Sequence, residues 1–486
     1  MPVMKFRQTH LRFMAVAVAV AATVPLVMLT TVSGAAADVQ ASAVVIDGAT
    51  TYQHITGFGA SEAFGEAAVV MDAPTATQQQ VLSLLYSPVN GAGLTILRNE
   101  ISADPGTTIE PNAPSSPNAA PTYLPLSSIN EDQGQLWFAQ AIKSEYGVTD
   151  VFADAWSAPA FMKTNDSVDN GGTLCGVPGA TCSSGDWRQA YANYLRQYAA
   201  DYAAAGDPLS YVGPENEANI GPGYDSMIMS PAQTADFLDF LGPTMARSGL
   251  RTRTECCATE GWDYAQQYAA AIEADPVANA FTSIFTSHGY TEAPASPLAG
   301  WTKPAWETEW STFQTWDPAW DDGTSASGFS WAQNIYTGLT SANLSAFLYW
   351  WGSSTTTFNG DNESLVQING STVNPSGRLW AFANYSRFVR PGAVRIGTST
   401  ADSDLEVTAF RNTNGSIAVV VLNSAASPQT ASFSLRGTGP GAVAIPYLTD
   451  ATHDTAVQAP IRMANGSFPA TIPARALVTY EIPAGF

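Results

Sequence analysis

From about residue 55 to 390, short runs rich in β-branched and aromatic side chains alternate with longer stretches whose apolar positions recur every third or fourth residue. The runs fall at residues 54–59, 94–98, 151–156, 211–217, 253–257, 285–288, 305–309 and 346–350, which makes eight. The stretches between them read as helices. Asp186 is placed as an N-cap, and after it Trp187, Tyr191, Tyr194, Leu195, Tyr198 and Tyr202 share one helical face. Ser230-Pro231 reads as an N-cap followed by proline at the first helical position, with Phe237, Leu238 and Leu241 as the buried stripe. Residues 133–146 and 331–344 carry the same pattern. Eight strands alternating with helices imply a (β/α)8 barrel, an α/β TIM barrel. A doubly wound open sheet is the alternative, but no Gly-rich phosphate loop accompanies the pattern.

Beyond residue 391 the helical period disappears. Strands at 405–410 and 417–422 meet across Asn414-Gly415, a strong hairpin signal, and further strands follow at 433–435, 443–445 and 477–482. The expected organisation is therefore a catalytic barrel over 55–390 and a C-terminal β-sandwich over 391–486. The segment 38–54, through Val44-Val45-Ile46, is expected to pair with the β domain.

Residues 1–37 are read as a signal peptide rather than as part of the fold. Lys5, Arg7 and Arg12 precede an apolar run, and Ala35-Ala36-Ala37 offers a small-residue cleavage site before Asp38. A membrane anchor is the rival reading, though Pro25 interrupts the run. Export would place the four cysteines in an oxidising compartment. Cys175 and Cys182 flank a Gly-rich loop and are expected to be bridged, a cross-link contributing about 2–3 kcal/mol by loop entropy. Cys256 and Cys257 are either a vicinal disulfide or two buried thiols. Their spacing fits no ordinary zinc site, and neither metal nor cofactor is expected.

A net charge of −22 argues against nucleic acid or anionic membranes as partners. Charged residues are only 13% of the chain, while it carries 13 Trp and 18 Tyr. Such a surface suits a neutral ligand with flat apolar faces, and sugars are the obvious class. The expected partner is a polysaccharide, bound by a secreted monomer.

Function in a barrel collects at the C-terminal strand ends. Here those ends supply Arg98, Trp156, Asn216, Glu217, His288, Tyr290, Glu309 and Trp350. Glu217 and Glu309 end the fourth and seventh strands and so face each other across the mouth. Two carboxyl groups flanking a gap with aromatic walls are what glycosidic cleavage needs: one protonates the leaving oxygen, and the other attacks or activates water. Asn216 offers an amide to a sugar hydroxyl beside the reacting carbon. Glu307 competes with Glu309, because residues i and i+2 share a strand face. Trp156 and Trp350 are either sugar platforms or core aromatics, and Arg98 either binds substrate or neutralises a carboxylate. His288 is expected to be structural, because the carboxylate pair already supplies both proton-transfer roles.

These residues carry a family resemblance. Gly57-Phe58-Gly59-Ala60-Ser61-Glu62-Ala63-Phe64 resembles the first barrel strand and loop of glycoside hydrolase family 30, and Asp154-Ala155-Trp156-Ser157-Ala158-Pro159-Ala160-Phe161-Met162-Lys163 resembles its third. Asn216-Glu217 and Thr308-Glu309-Trp310 match its acid/base and nucleophile strands, and Arg390-Pro391-Gly392 resembles the join to its side β-sandwich. The resemblance covers nearly the whole chain beyond the leader. It implies a retaining hydrolase with Glu217 as acid/base and Glu309 as nucleophile, and Arg98, Trp156, Asn216, Tyr290 and Trp350 around the sugar. Cys175, Cys182, residues 183–187 and Cys256-Cys257 look most like the fungal-type xylanase branch, which acts on β-1,4-xylan. A β-1,6-glucanase of the same family and a non-catalytic carbohydrate-binding protein are the alternatives. Two places depart from the branch: Gly65-Glu66 stands where it carries Gln-Arg, and Pro214-Glu215 precedes Asn216. Glu66 in the first barrel loop is expected to repel a glucuronate branch.

Overall fold

A computed structural model describes residues 41–355, 361–439 and 441–485. The leader at 1–37 lies outside the described residues. Eight parallel strands form a closed barrel: β1 (Gly57–Ser61), β2 (Ile96–Ile101), β3 (Asp150–Ala155), β4 (Tyr211–Gly213), β5 (Arg253–Thr259), β6 (Thr282–His288), β7 (Ala305–Glu309) and β8 (Ala346–Thr355). β8 pairs with both β7 and β1, which closes the ring. The open doubly wound sheet is thereby excluded.

Because side chains alternate along a strand, every second residue points into the barrel. Ile96, Phe152, Tyr211, Ile284, Trp306, Ala346 and Leu348 pack together there as an apolar floor. Two residues further along the strands the interior turns polar: Arg98 on β2, Asp154 on β3, Glu255 on β5 and Thr286 on β6 are all fully buried. The barrel is thus a packed core whose upper layer is charged, and the catalytic candidates sit on top of that layer.

The helices follow from their patterns. Helix Arg188–Ala204 buries Tyr191, Tyr194, Tyr198 and Tyr202. Tyrosine serves here where leucine would leave polar groups unpaired. The hydroxyls of Tyr191 and Tyr194 donate to the carbonyls of Pro214 (2.7 Å) and Ser102 (2.6 Å), and that of Tyr202 to Asp132 (2.7 Å). The helix starts one residue later than the sequence suggests: Trp187 is the N-cap, and Asp186 accepts from the Arg188 N–H at 3.1 Å. Helix Pro231–Arg247 has the expected start, with a capping box between Ser230 and Gln233.

The β domain is one large, mostly antiparallel sheet curled over its own apolar core. Strand Ser42–His54 joins it by pairing antiparallel with Val394–Thr400 and parallel with Gln429–Arg436. Hairpin Leu405–Arg411 and Ile417–Asn423 pairs in continuous register. The sheet is tied to the barrel by Asn384, whose amide reaches Thr455 at 3.3 Å, and by an Arg475–Asp321 ion pair at 2.8 Å. Cys175–Cys182 and Cys256–Cys257 are both disulfides. Among the described residues no helix is long and apolar enough to cross a membrane.

Candidate active site

At the C-terminal mouth of the barrel lies a cavity of about 350 Å3. Its lining includes Phe64, Trp156, Asn216, Glu217, Tyr224, Glu260, Tyr290, Glu309, Phe313, Trp350, Trp351 and Glu363. Of the eight strand-end residues expected there, six line the cavity and two, Arg98 and His288, do not. Arg98 does not line the cavity; it is fully buried beneath it. Its Nε donates to Asp154 at 2.6 Å, Nη2 donates to Asn216 Oδ1 at 2.6 Å, and Nη1 donates to Glu309 Oε2. Each of its three nitrogens donates a hydrogen bond, and Arg98 lies below the cavity rather than in its lining. Burial works against its charge, but Asp154 and Glu309 outweigh that and hold the guanidinium protonated.

Glu309 also accepts from the Tyr290 hydroxyl at 2.9 Å. Glu217 accepts from the Tyr224 hydroxyl at 3.4 Å, and His288 Nδ1 lies 3.0 Å from its Oε1. The other ring nitrogen of His288 lies 3.7 Å from Glu309 Oε2. Burial pushes this imidazole down to about 4, so at neutral pH it carries a single N–H between two carboxyl groups. His288 is therefore a direct neighbour of both acids. Burial raises Glu217 to about 7, against smaller opposing effects from Arg98 and Tyr224. Oxygens of Glu217 and Glu309 lie within 4.8 Å of each other.

The backbone aims these groups. Glu217 sits at φ 49°, a left-handed conformation costly for a residue with a side chain, and its N–H donates to the Ala258 carbonyl at 2.7 Å. The competition between Glu307 and Glu309 turns on a bulge. The pairing of β6 with β7 shifts register between Ser287–Glu307 and His288–Glu309, so the two glutamates do not share a face. Trp306 fills the barrel floor, and Glu307 points outward, accepting from Trp262 Nε1 at 2.7 Å. Only Glu309 of the two reaches the cavity. A second register shift, between Tyr349 and Trp351 on β8, lets the adjacent Trp350 and Trp351 both line the mouth. Trp156 and Trp350 pack at 5.8 Å in a cluster with Phe64, so they are wall residues and not barrel core.

Glu66 corrects another expectation. It begins helix Glu66–Asp72 and is buried away from the cavity, and burial raises its carboxyl to about 8. It presents no charge to a substrate. Sequence reading missed Tyr224, Glu260 and Phe313. Glu260 directly follows β5, so reading that strand two residues longer would have exposed it. Phe313, exposed at 68% and stacked on Tyr290 at 5.6 Å, lies in the short strand Thr312–Thr315 after β7, where nothing in the local pattern marks it.

A barrel with two carboxyl groups facing across an aromatic mouth defines a glycosidase class of site, and the comparisons narrow it. Residues 41–295 match the model of O-glycosyl hydrolase family 30, and residues 392–480 match the glycosyl hydrolase family 30 β-sandwich domain. The chain belongs to glycoside hydrolase family 30. The catalytic domain of GH30 xylanase C from Talaromyces cellulolyticus is 43% identical, covers 91% of this chain and all of that one (100%), and superposes with a TM-score of 0.85. Curated relatives are more distant. Mouse lysosomal acid glucosylceramidase is 26% identical over 399 residues, covering 76% of this chain and 75% of its own. An endo-1,6-β-D-glucanase of Trichoderma harzianum is 23% identical over 402 residues, covering 76% and 78%.

Proposed function

We propose that this chain is a secreted, monomeric, retaining hydrolase of β-1,4-xylan. The observation that carries the retaining mechanism is the approach of Glu217 and Glu309 oxygens within 4.8 Å. Retaining pairs sit about 5–5.5 Å apart, whereas inverting pairs leave about 6.5–9.5 Å for a water. In the first step Glu309 attacks the anomeric carbon as Glu217 delivers its proton to the departing glycosidic oxygen. In the second, Glu217 takes a proton from water as that water displaces Glu309. Glu217 is suited to both steps because burial raises it to about 7, between acid and base duty. Arg98 and Tyr290 hold Glu309 by direct hydrogen bonds, so the nucleophile is fixed before substrate arrives. Xylan is favoured by the 43% identity to a family xylanase across the full length of that chain. Export is supported by the two disulfides and by the leader pattern at 1–37.

Product analysis on arabinoxylan, glucuronoxylan and β-1,6-glucan side by side tests the substrate. Time-resolved NMR of the first-formed anomer tests the mechanism. Xylo-oligosaccharides released first as the β anomer are expected. Cleavage confined to β-1,6-glucan would replace xylan with the glucanase reading, an initial α anomer would reject the double displacement, and binding without cleavage would leave a carbohydrate-binding protein.

A further inference from the structure

The polar layer under the two catalytic candidates contains a contact that hydrogen-bond pairing alone leaves unexplained. Asp154 on β3 and Glu255 on β5 flank Gly213 on β4, and all three point into the barrel. A Cβ at Gly213 would lie 1.5 Å from Glu255 Oε1 and 2.2 Å from Asp154 Oδ1. The missing side chain is what lets the two carboxyl groups converge. The outer oxygen of each is satisfied: Arg98 Nε donates to Asp154 Oδ2 at 2.6 Å, and the Thr286 hydroxyl donates to Glu255 Oε2 at 2.5 Å. The inner oxygens, Asp154 Oδ1 and Glu255 Oε1, are buried and have no donor. Both residues have no solvent exposure.

Two ionised carboxylates cannot face each other in a dry layer whose one guanidinium is already shared with Glu309. We infer that Glu255 is a neutral acid that donates its proton to Asp154 Oδ1, and that this shared proton positions the nucleophile through Asp154 and Arg98. The proton belongs to Glu255 because Asp154 is the partner ion-paired to Arg98. Burial first, and then the charge of Asp154, push Glu255 well above the usual carboxyl range, which agrees. The charged and titratable groups around it are Asp154 on β3 and Arg98 on β2, with Glu217, His288 and Glu309 one layer above. With the proton in place, Asp154 is held from both sides, by Glu255 and by its ion pair with Arg98. Arg98 then presents one Nη to Glu309 and the other to Asn216. Without it, an extra negative charge would lie under both catalytic carboxyl groups.

Glu255 is thus a positioning residue, and the inference rests on Glu309 being the nucleophile. Glu255→Gln keeps an N–H toward Asp154, an acceptor for Thr286, and neutrality. It should hold kcat within about threefold and leave the alkaline limb of kcat/KM unmoved. Glu255→Leu removes the donor. It should lower kcat by on the order of a hundredfold while KM moves less than about threefold. Infrared difference spectra at neutral pH between wild type and Glu255→Gln should show one protonated-carboxyl C=O stretch lost.

A downward shift of the alkaline limb by about half a pH unit or more in Glu255→Gln would mean that Glu255 is ionised, and would overturn the inference. An unchanged infrared spectrum would do the same, as would a folded Glu255→Leu with normal kcat. If Glu255→Leu does not fold, the Gln variant and its spectrum decide alone. The spectrum needs no substrate, so failure to cleave any glycan would count against the proposed function and leave the proton test standing.

Discussion

Glu215 offers a direct measure of how this fold handles buried acids. It stands beside Asn216 but turns away from the cavity, fully buried against helix Pro231–Arg247, where the Thr234 hydroxyl lies 3.0 and 2.9 Å from its two oxygens. Burial raises its carboxyl from 4.5 to about 8. Below pH 4.5 the group is protonated in both folded and unfolded chains and contributes no pH dependence. Between 4.5 and 8 the unfolded chain releases the proton and the folded chain keeps it. Stability is therefore fully present in acid and is lost as pH rises, by about 1.4 kcal/mol per unit. From pH 5 to 8 the loss reaches about 4 kcal/mol at most, a large part of a typical total of about 5–15 kcal/mol. Glu215→Gln keeps the shape and removes the titration. Urea unfolding followed by tryptophan fluorescence at pH 5, 6, 7 and 8 gives the two stability curves. They should converge in acid and separate steadily toward pH 8, with the variant higher. Parallel curves would show that Glu215 titrates normally in the fold, and the burial argument would fail. Activity at pH 5 should be unchanged in the variant, since Glu215 does not reach the cavity.

The other predictions concern the site. Glu309→Gln should lower turnover by on the order of a thousandfold or more, whereas Glu307→Gln should spare kcat; the opposite result would put the bulge on the wrong residue. Glu217→Ala should lose activity on xylan but keep most of it on aryl xylosides whose leaving group needs no proton, as paired kcat/KM measurements would show. Because Glu217 must be protonated to act and is raised to about 7, kcat/KM should fall as pH rises through that value. A limb set near an ordinary glutamate pKa would refute that assignment. Among the described residues the cavity lining carries Glu217, Glu260, Glu309 and Glu363 and neither Lys nor Arg, so a glucuronate branch meets no cation there. The ratio of kcat/KM on glucuronoxylan to that on the same polymer stripped of uronic acids should stay below about 10, since a larger ratio means roughly 1.4 kcal/mol of uronate recognition.

The eight strands were legible because each is a short apolar run with helical periodicity on either side, and the barrel follows from that alternation without knowledge of any contact. Glu217, Glu309, Trp156 and Trp350 were legible because polar or aromatic residues at the ends of such runs have to face the mouth. Two bulges were not legible. An ideal strand would put Glu307 and Glu309 on one face and only one of Trp350 and Trp351 in the mouth, and the register shifts on β7 and β8 undo both expectations. Depth was the other hidden variable. Arg98 and Glu66 stand near strand and loop ends, yet both are buried, because Asp154 and Glu309 draw the first inward and a helix start covers the second. Periodicity gives direction from the backbone, but it does not tell which of two inward residues lies in the cavity and which beneath it.

What lies beneath them separates the two candidate carboxyl groups, Glu217 and Glu309. Both are nearly buried, at 6% and 5% exposure. Glu309 rests directly on the Arg98 guanidinium and takes a second hydrogen bond from Tyr290. Glu217 receives a 3.4 Å contact from Tyr224 and a neutral imidazole, with no cation bonded to it among the described residues, so burial dominates and favours the acid. The asymmetry comes from one arginine in the layer directly beneath, not from the glutamates themselves. Moving that positive charge would exchange the environments before it changed either carboxyl group. Arg98→Met removes the hydrogen bond that holds Glu309 and should accordingly harm the attack by Glu309 more than the proton transfer by Glu217. Its loss of kcat should therefore persist on aryl xylosides with activated leaving groups, the substrates that Glu217→Ala still cleaves. If activated leaving groups rescued Arg98→Met as fully as Glu217→Ala, the arginine would not be what distinguishes the two acids.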